Sequence, residues 1–276
     1  MVGVYKGIDV SSHKRKIDWK KVKASGIDFA IIRAGYGEIY KDDYYEQNVN
    51  SAISNGIHVG AYYFIYAYDE NSAKNNADNF IKLLKMFDGK FDMPVCCDFE
   101  YDSMRYMREM GVTPTKKLNT LIINTFCKRV QDAGYYVSNY LSLDMKENYV
   151  NDTSDYDLWL ATWSYSAPPF YCNLWQYSSG GKVDGITGSV DMDYAYIDFP
   201  SLIKERGLNH TAGEPKFKVG DLVKVTKTNF SQDGYVYLLR ADSYKILGMV
   251  DGLYEIGINN IPLARVNAKC IEKQEK

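Results

Sequence analysis

The chain has 276 residues, a formal net charge of −2, and the apolar (46%) and charged (25%) fractions of a globular protein. That length fits one large domain, or a medium one joined to a small one. The balance excludes a disordered chain and an overall basic field for nucleic acid, and no run approaches the ~18 apolar residues of a membrane span.

The N-terminal MVGVYKGIDVSS enters a strand pattern directly, without a charged segment followed by an apolar one. A protein made in the cytoplasm without a signal peptide is therefore expected. Apolar strand patterns then alternate with amphipathic helical ones. Strands are predicted at Tyr5–Val10, Phe29–Ala34, Val59–Ile65, Met93–Phe99, Tyr136–Tyr140, Leu158–Thr162, Leu174–Tyr177 and Asp191–Ala195. Helices are predicted at Trp19–Ala24, Tyr44–Asn55, Ser72–Met86 and Thr115–Ala133. Gly26, Gly56 and Gly134 each close a helical pattern before a strand, as C-cap glycines do. Eight strands with helices between many of them predict an α/β fold, a (β/α) barrel over residues 1–207. The later strands are too close together for full helices, so the barrel is expected to be irregular. A linker is expected at 208–215, where LNHTAGEP is polar and aperiodic. Residues 216–276 then give short strands broken by turns such as Asp251-Gly252, the pattern of a small all-β barrel.

The five cysteines are odd in number and form no CxxC pair. Cys96 and Cys97, adjacent on a strand, face opposite ways, and reduced thiols are expected. With three histidines, no HExxH and no GxxxxGK, neither a metal nor a cofactor is expected.

The chemistry lies in the acids. In PVCCDFEY, Asp98 and Glu100 stand two apart on an extended chain, so they share a face about 6.5 Å apart. Asp9 ends the first strand, and Asp191 and Asp193 lie on the last. Closure of the barrel makes first and last strands neighbours, bringing Asp9 beside Asp191. Acids around one mouth suit glycoside hydrolysis, where one protonated acid serves the leaving oxygen and ionised partners stabilise an oxocarbenium-like centre. The longer Glu100 is the expected proton donor, with Asp98 as its electrostatic neighbour. Expected substrate contacts are Tyr62, Phe64, Tyr36, Arg33, Trp175, Gln176, Tyr140, Trp163 and Asp193. Tyr62 and Phe64 should share the inward face, although core filling would explain them equally well.

GIDVSSH, FAIIRAGYG, GAYYF, CDFEYD, LWQYSS and VDMDY occur in the order and spacing of the glycoside hydrolase family 25 (Chalaropsis-type) lysozymes, which residues 3–199 resemble. The resemblance implies cleavage of the β-1,4 bond between N-acetylmuramic acid and N-acetylglucosamine. It also implies Glu100 as general acid among Asp9, Asp98 and Asp191, with the second catalytic role held by the substrate's N-acetyl group or by an Asp directing water. The tail from PKFKVGDLVKV resembles SH3-like cell-wall-binding domains. Together they suggest a phage endolysin of a Gram-positive, clostridial-like host, released to the wall after a holin opens the membrane. Its partners would be peptidoglycan glycan strands and, through the C-terminal domain, a wall polymer, but neither nucleic acid nor membrane. Initiation or cleavage near Met192 would yield a separate wall-binding fragment able to self-associate. The competing readings are a chitinase-like hydrolase, a chromosomal autolysin, and a non-catalytic glycan-binding barrel, which would be expected to have lost a mouth acid.

Overall fold

The computed structural model describes residues 5–153, 155–163, 165–210, 217, 219–226, 241–250, 253–266 and 270–274. The chain forms two compact units, Met1–Ser201 and Leu202–Lys276.

In the first unit, eight strands close a barrel: β1 (Tyr5–Val10), β2 (Phe29–Tyr36), β4 (His58–Phe64), β5 (Val95–Asp98), β6 (Val137–Ser142), β7 (Asp157–Ala161), β8 (Leu174–Gly181) and β9 (Val190–Ala195). A two-residue β3 (Tyr40–Lys41) is appended to β2, and parallel pairing of β1 with β2 completes the ring. The eighth strand departs from a fully parallel barrel: β9 runs antiparallel to both β8 and β1. Its Asp191 consequently reaches the mouth from the start of the strand, not its C-terminal end.

Helices α1 (Trp19–Ala24), α2 (Tyr45–Ser54), α3 (Glu70–Leu84), α4 (Tyr101–Glu109), α5 (Lys116–Asp132) and α6 (Phe199–Arg206) complete the regular elements up to residue 206. Their ends follow local chemistry. Asp69 and Ser72 form a capping box at α3, with Ser72 N donating to Asp69 Oδ1 at 2.7 Å. Thr115 Oγ1 accepts from Leu118 N at α5. Gly26, Gly56 and Gly134 adopt positive φ just beyond α1, α2 and α5. Sequence patterning missed α4 and α6, whose nine and eight residues are too few to show a helical period clearly. Among the described residues, only a five-residue π-helical turn (Met145–Tyr149) intervenes after β6, and no helix lies between β7 and β8.

Strand alternation divides the barrel in two. Ile8, Val10, Ala30, Ile32, Val59, Ala61, Tyr63, Val95 and Cys97 belong to the main core. Their alternates, including Asp9, Arg33, Tyr62, Phe64, Asp98 and Gln176, point inward and line the mouth. All five cysteines are buried thiols.

In the second unit, strands β10 (Leu222–Val225), β11 (Tyr244–Val250), β12 (Leu253–Ile258), β13 (Ile261–Val266) and β14 (Ile271–Lys273) form an antiparallel sheet ordered β13-β12-β11-β10-β14. Phe217, Val223, Tyr244, Ile246, Tyr254, Ile256 and Val266 make its core. Most of the expected linker lies outside the described residues.

Candidate active site

The barrel mouth opens into a cleft of about 430 Å³. Asp9, Asp98, Glu100 and Asp191 all line it, with Arg33, Tyr62, Phe64, Tyr140, Trp163 and Gln176. Asp9 stands in register with Asp191 across the β1–β9 pair, and Asp98 lies beside Phe64 of β4 and Tyr140 of β6. Glu100 lies two residues beyond, past the end of β5, on backbone that is still extended before α4 begins. Its N–H donates to the buried Ser103 Oγ at 3.1 Å, which fixes where the chain turns from strand to helix.

Three expected contacts stand elsewhere. Asp193 pairs with Gly7, two residues deeper than the Asp9–Asp191 pair. It is wholly buried and accepts from Trp159 Nε1 at 2.9 Å. Trp175 alternates with Gln176 and so faces outward, packed against Leu160 and Cys172. Tyr36 stacks on Tyr40 with centroids 5.1 Å apart and is covered by the Arg33 guanidinium, outside the cleft lining. Met192, between the two acids of β9, is buried in the main core.

Gln176 organises the polar network. Its Nε2 donates to Asp9 Oδ2 at 2.7 Å, while its Oε1 accepts from Tyr140 OH at 3.2 Å and Trp163 Nε1 at 3.1 Å. The amide thus fixes one acid and two rings at once. Arg33 is anchored by Asp42: its Nε donates to Asp42 Oδ2 at 2.8 Å, its guanidinium also donates to Ser12 Oγ, and its charge partly offsets the rise of Asp98. Trp159, unforeseen, lies edge-on to Tyr140 at 4.7 Å and to Tyr62 at 6.2 Å, forming the aromatic floor. Its signal was the alternation of Leu158, Trp159 and Leu160, which puts the indole inward. Tyr101, the first residue of α4, and His13 and Lys14, in the short turn after β1, also line the cleft.

Burial raises every acid here. Asp98 is pushed well above the usual carboxylate range, first by desolvation and then by Glu100. Desolvation also raises Glu100, opposed by its hydrogen bond with Asp98. The two carboxyls therefore titrate as one coupled pair. Asp98 Oδ1 is buried with no hydrogen-bond partner among the described residues. Burial pushes Asp9 well up, with Asp193 and Asp191 adding to it, and carries Asp193 to about 8. Asp191 is raised by burial but drawn back by Lys14.

A barrel whose mouth couples a half-buried glutamate to a buried aspartate defines an acid–base site. The profile of Glycosyl hydrolases family 25 matches residues 8–186. Among curated relatives, the autolytic lysozyme of Clostridium acetobutylicum is 28% identical over 190 residues, covering 68% of this chain and 55% of that protein. Lysozyme M1 of Streptomyces globisporus is 29% identical over 194 residues, covering 67% and 65%. Among solved structures, the bacterial lysozyme of Streptomyces coelicolor superimposes with a TM-score of 0.59 at 26% identity, covering 75% of this chain and 98% of that one. The chain belongs to glycosyl hydrolase family 25. It spans just over half and just under two thirds, respectively, of the length of the two curated relatives.

Proposed function

We propose that the chain is an N-acetylmuramidase that cuts the β-1,4 bond between N-acetylmuramic acid and N-acetylglucosamine in peptidoglycan. The observation that carries this reading is the Asp98–Glu100 pair at the barrel mouth. Glu100 is the more exposed of the two, and glycan entering the cleft displaces water from around its carboxyl. Glu100 then protonates the leaving group. The unpartnered Asp98 Oδ1 is available to accept the amide N–H of a 2-acetamido group, orienting its carbonyl toward the anomeric carbon. Asp191 supplies negative charge near the developing oxocarbenium ion, while Asp9, fixed by Gln176, shapes that wall. Tyr62, Tyr140 and Trp163 offer flat apolar faces to sugar rings. The lysozymes among the relatives support the substrate, as does the autolysin LytC of Streptococcus pneumoniae, solved in complex with a synthetic peptidoglycan ligand and 27% identical over 70% of this chain.

The second unit, compact with its own apolar core, is read as an SH3-like wall-binding module that holds the barrel on an insoluble substrate. The combination suits a phage endolysin that lyses its host once the membrane has been opened. A non-catalytic barrel is disfavoured because all four mouth carboxylates are present.

The direct test is Glu100→Gln, a nearly isosteric change that removes the transferable proton. Hydrolysis of purified peptidoglycan is expected to fall by at least about 100-fold, with the melting temperature essentially unchanged. Activity retained in a folded variant would remove Glu100 from the role of acid.

A further inference from the structure

Between Lys14 and Lys23 the chain carries six cations and one acid, in a protein of net charge −2. The fold concentrates them. The segment leaves β1 through a short 3-10 turn (Ser12–Lys14), holds Arg15 at φ 53° and continues into α1. Trp19 and Val22 turn the apolar side of α1 into the core, leaving Lys20, Lys21 and Lys23 exposed. The loop joining β8 to β9 pins the segment in place: Asp18 N donates to Gly185 O at 2.9 Å, and Lys14 Nζ to Ser189 O at 2.6 Å. Gly185 is required there, because a Cβ would lie 2.4 Å from Asp18 O and φ is +98°.

An open groove of about 590 Å³ runs along this segment, with Lys16, Lys20 and Lys21 facing the neutral Ser51 and Asn55. Its single acid, Asp18, is already engaged: Oδ1 accepts from Lys21 N, and Oδ2 stands 3.7 Å from Lys21 Nζ. Arg15, Lys16 and Lys20 form no ion pair with a described residue. Like charges fixed together repel, and an anionic partner relieves that repulsion.

We propose that this groove binds a linear phosphodiester polymer. Ammonium groups bind phosphate oxygens as compact point charges, and a row of them along an open groove matches the repeated single charges of a linear phosphodiester chain. On its other side the same segment places His13 and Lys14 in the active-site cleft. A polyanion in the groove therefore lies beside the chain in the cleft and holds the barrel there. This inference rests on charge and geometry alone and does not depend on the bond that the cleft cleaves.

The test measures binding of the full chain to synthetic poly(glycerol phosphate), with polygalacturonate as the carboxylate comparison. The groove variant is Lys16→Gln/Lys20→Gln/Lys21→Gln; a control with the same charge change is Lys82→Gln/Lys85→Gln/Lys117→Gln. The groove variant is expected to lose about tenfold in affinity for poly(glycerol phosphate) and to show a shallower salt dependence. The control should bind as the parent does, and hydrolysis of short glycan fragments that carry no phosphate should be the same in all three. Undiminished binding by the groove variant, an equal loss in the control, or polygalacturonate bound as tightly as poly(glycerol phosphate) would overturn the proposal.

Discussion

At the scale of single residues, the mouth is governed by burial acting on carboxyl groups. Asp193 shows the consequence for stability. Its folded-state value of about 8 lies above the ordinary 3.8, so the native state binds this proton more tightly than the unfolded chain. The stabilisation is fully present below about pH 4 and is lost as pH rises toward 8. Urea midpoints measured across that window should therefore decline. The decline should be smaller in Asp193→Asn, which keeps an acceptor for Trp159 Nε1 but has nothing to ionise. An unchanged slope would mean that Asp193 ionises without cost. Asp42 is a different case, because its carboxylate is the partner of Arg33. Asp42→Ala leaves a largely buried guanidinium unpaired and should destabilise the fold by about 3 kcal/mol or more, read from denaturant midpoints.

At the scale of elements, the site depends on how closely strands and loops approach. Gly60 on β4 has Pro94 O, Ile31 and Met93 where a side chain would be: an added Cβ would fall 2.3 Å from Pro94 O. Gly60→Ala should therefore cost about 1–3 kcal/mol and weaken hydrolysis by shifting Tyr62 and Phe64; an unchanged denaturation midpoint would contradict that packing. Most strands were legible because alternation and apolar content are local properties. The same alternation that put Tyr62, Phe64, Asp98 and Asp9 on one side of the barrel wall also turned Trp175 outward once Gln176 faced inward, a conflict already present in LWQY. Strand direction was not legible: nothing within VDMDY says that β9 runs antiparallel, since that follows from pairing across the seam. The depth of Asp193 follows from that same register. Asp42 escaped notice because its partners, Arg33 and the Ser12 backbone, belong to other segments, which no local period reports, whereas Trp159 was readable from the alternation of its own strand.

At the scale of the whole molecule, two compact units with separate apolar cores divide the work in the proposed function. Deleting residues from Glu214 onward retains the barrel and α6. Sedimentation with cell walls should fall by more than hydrolysis of soluble fragments; an equal loss of both would make the second unit part of the catalytic fold. The central claim concerns which bond is cut, and product chemistry reads this most directly. Purified Gram-positive peptidoglycan would be digested with the full chain, the new ends reduced with borohydride, and the reduced sugars identified beside a count of free amines. The account predicts new reducing ends, recovered as muramitol, with no increase in amines. Free amines without reducing ends, or glucosaminitol in place of muramitol, would contradict it.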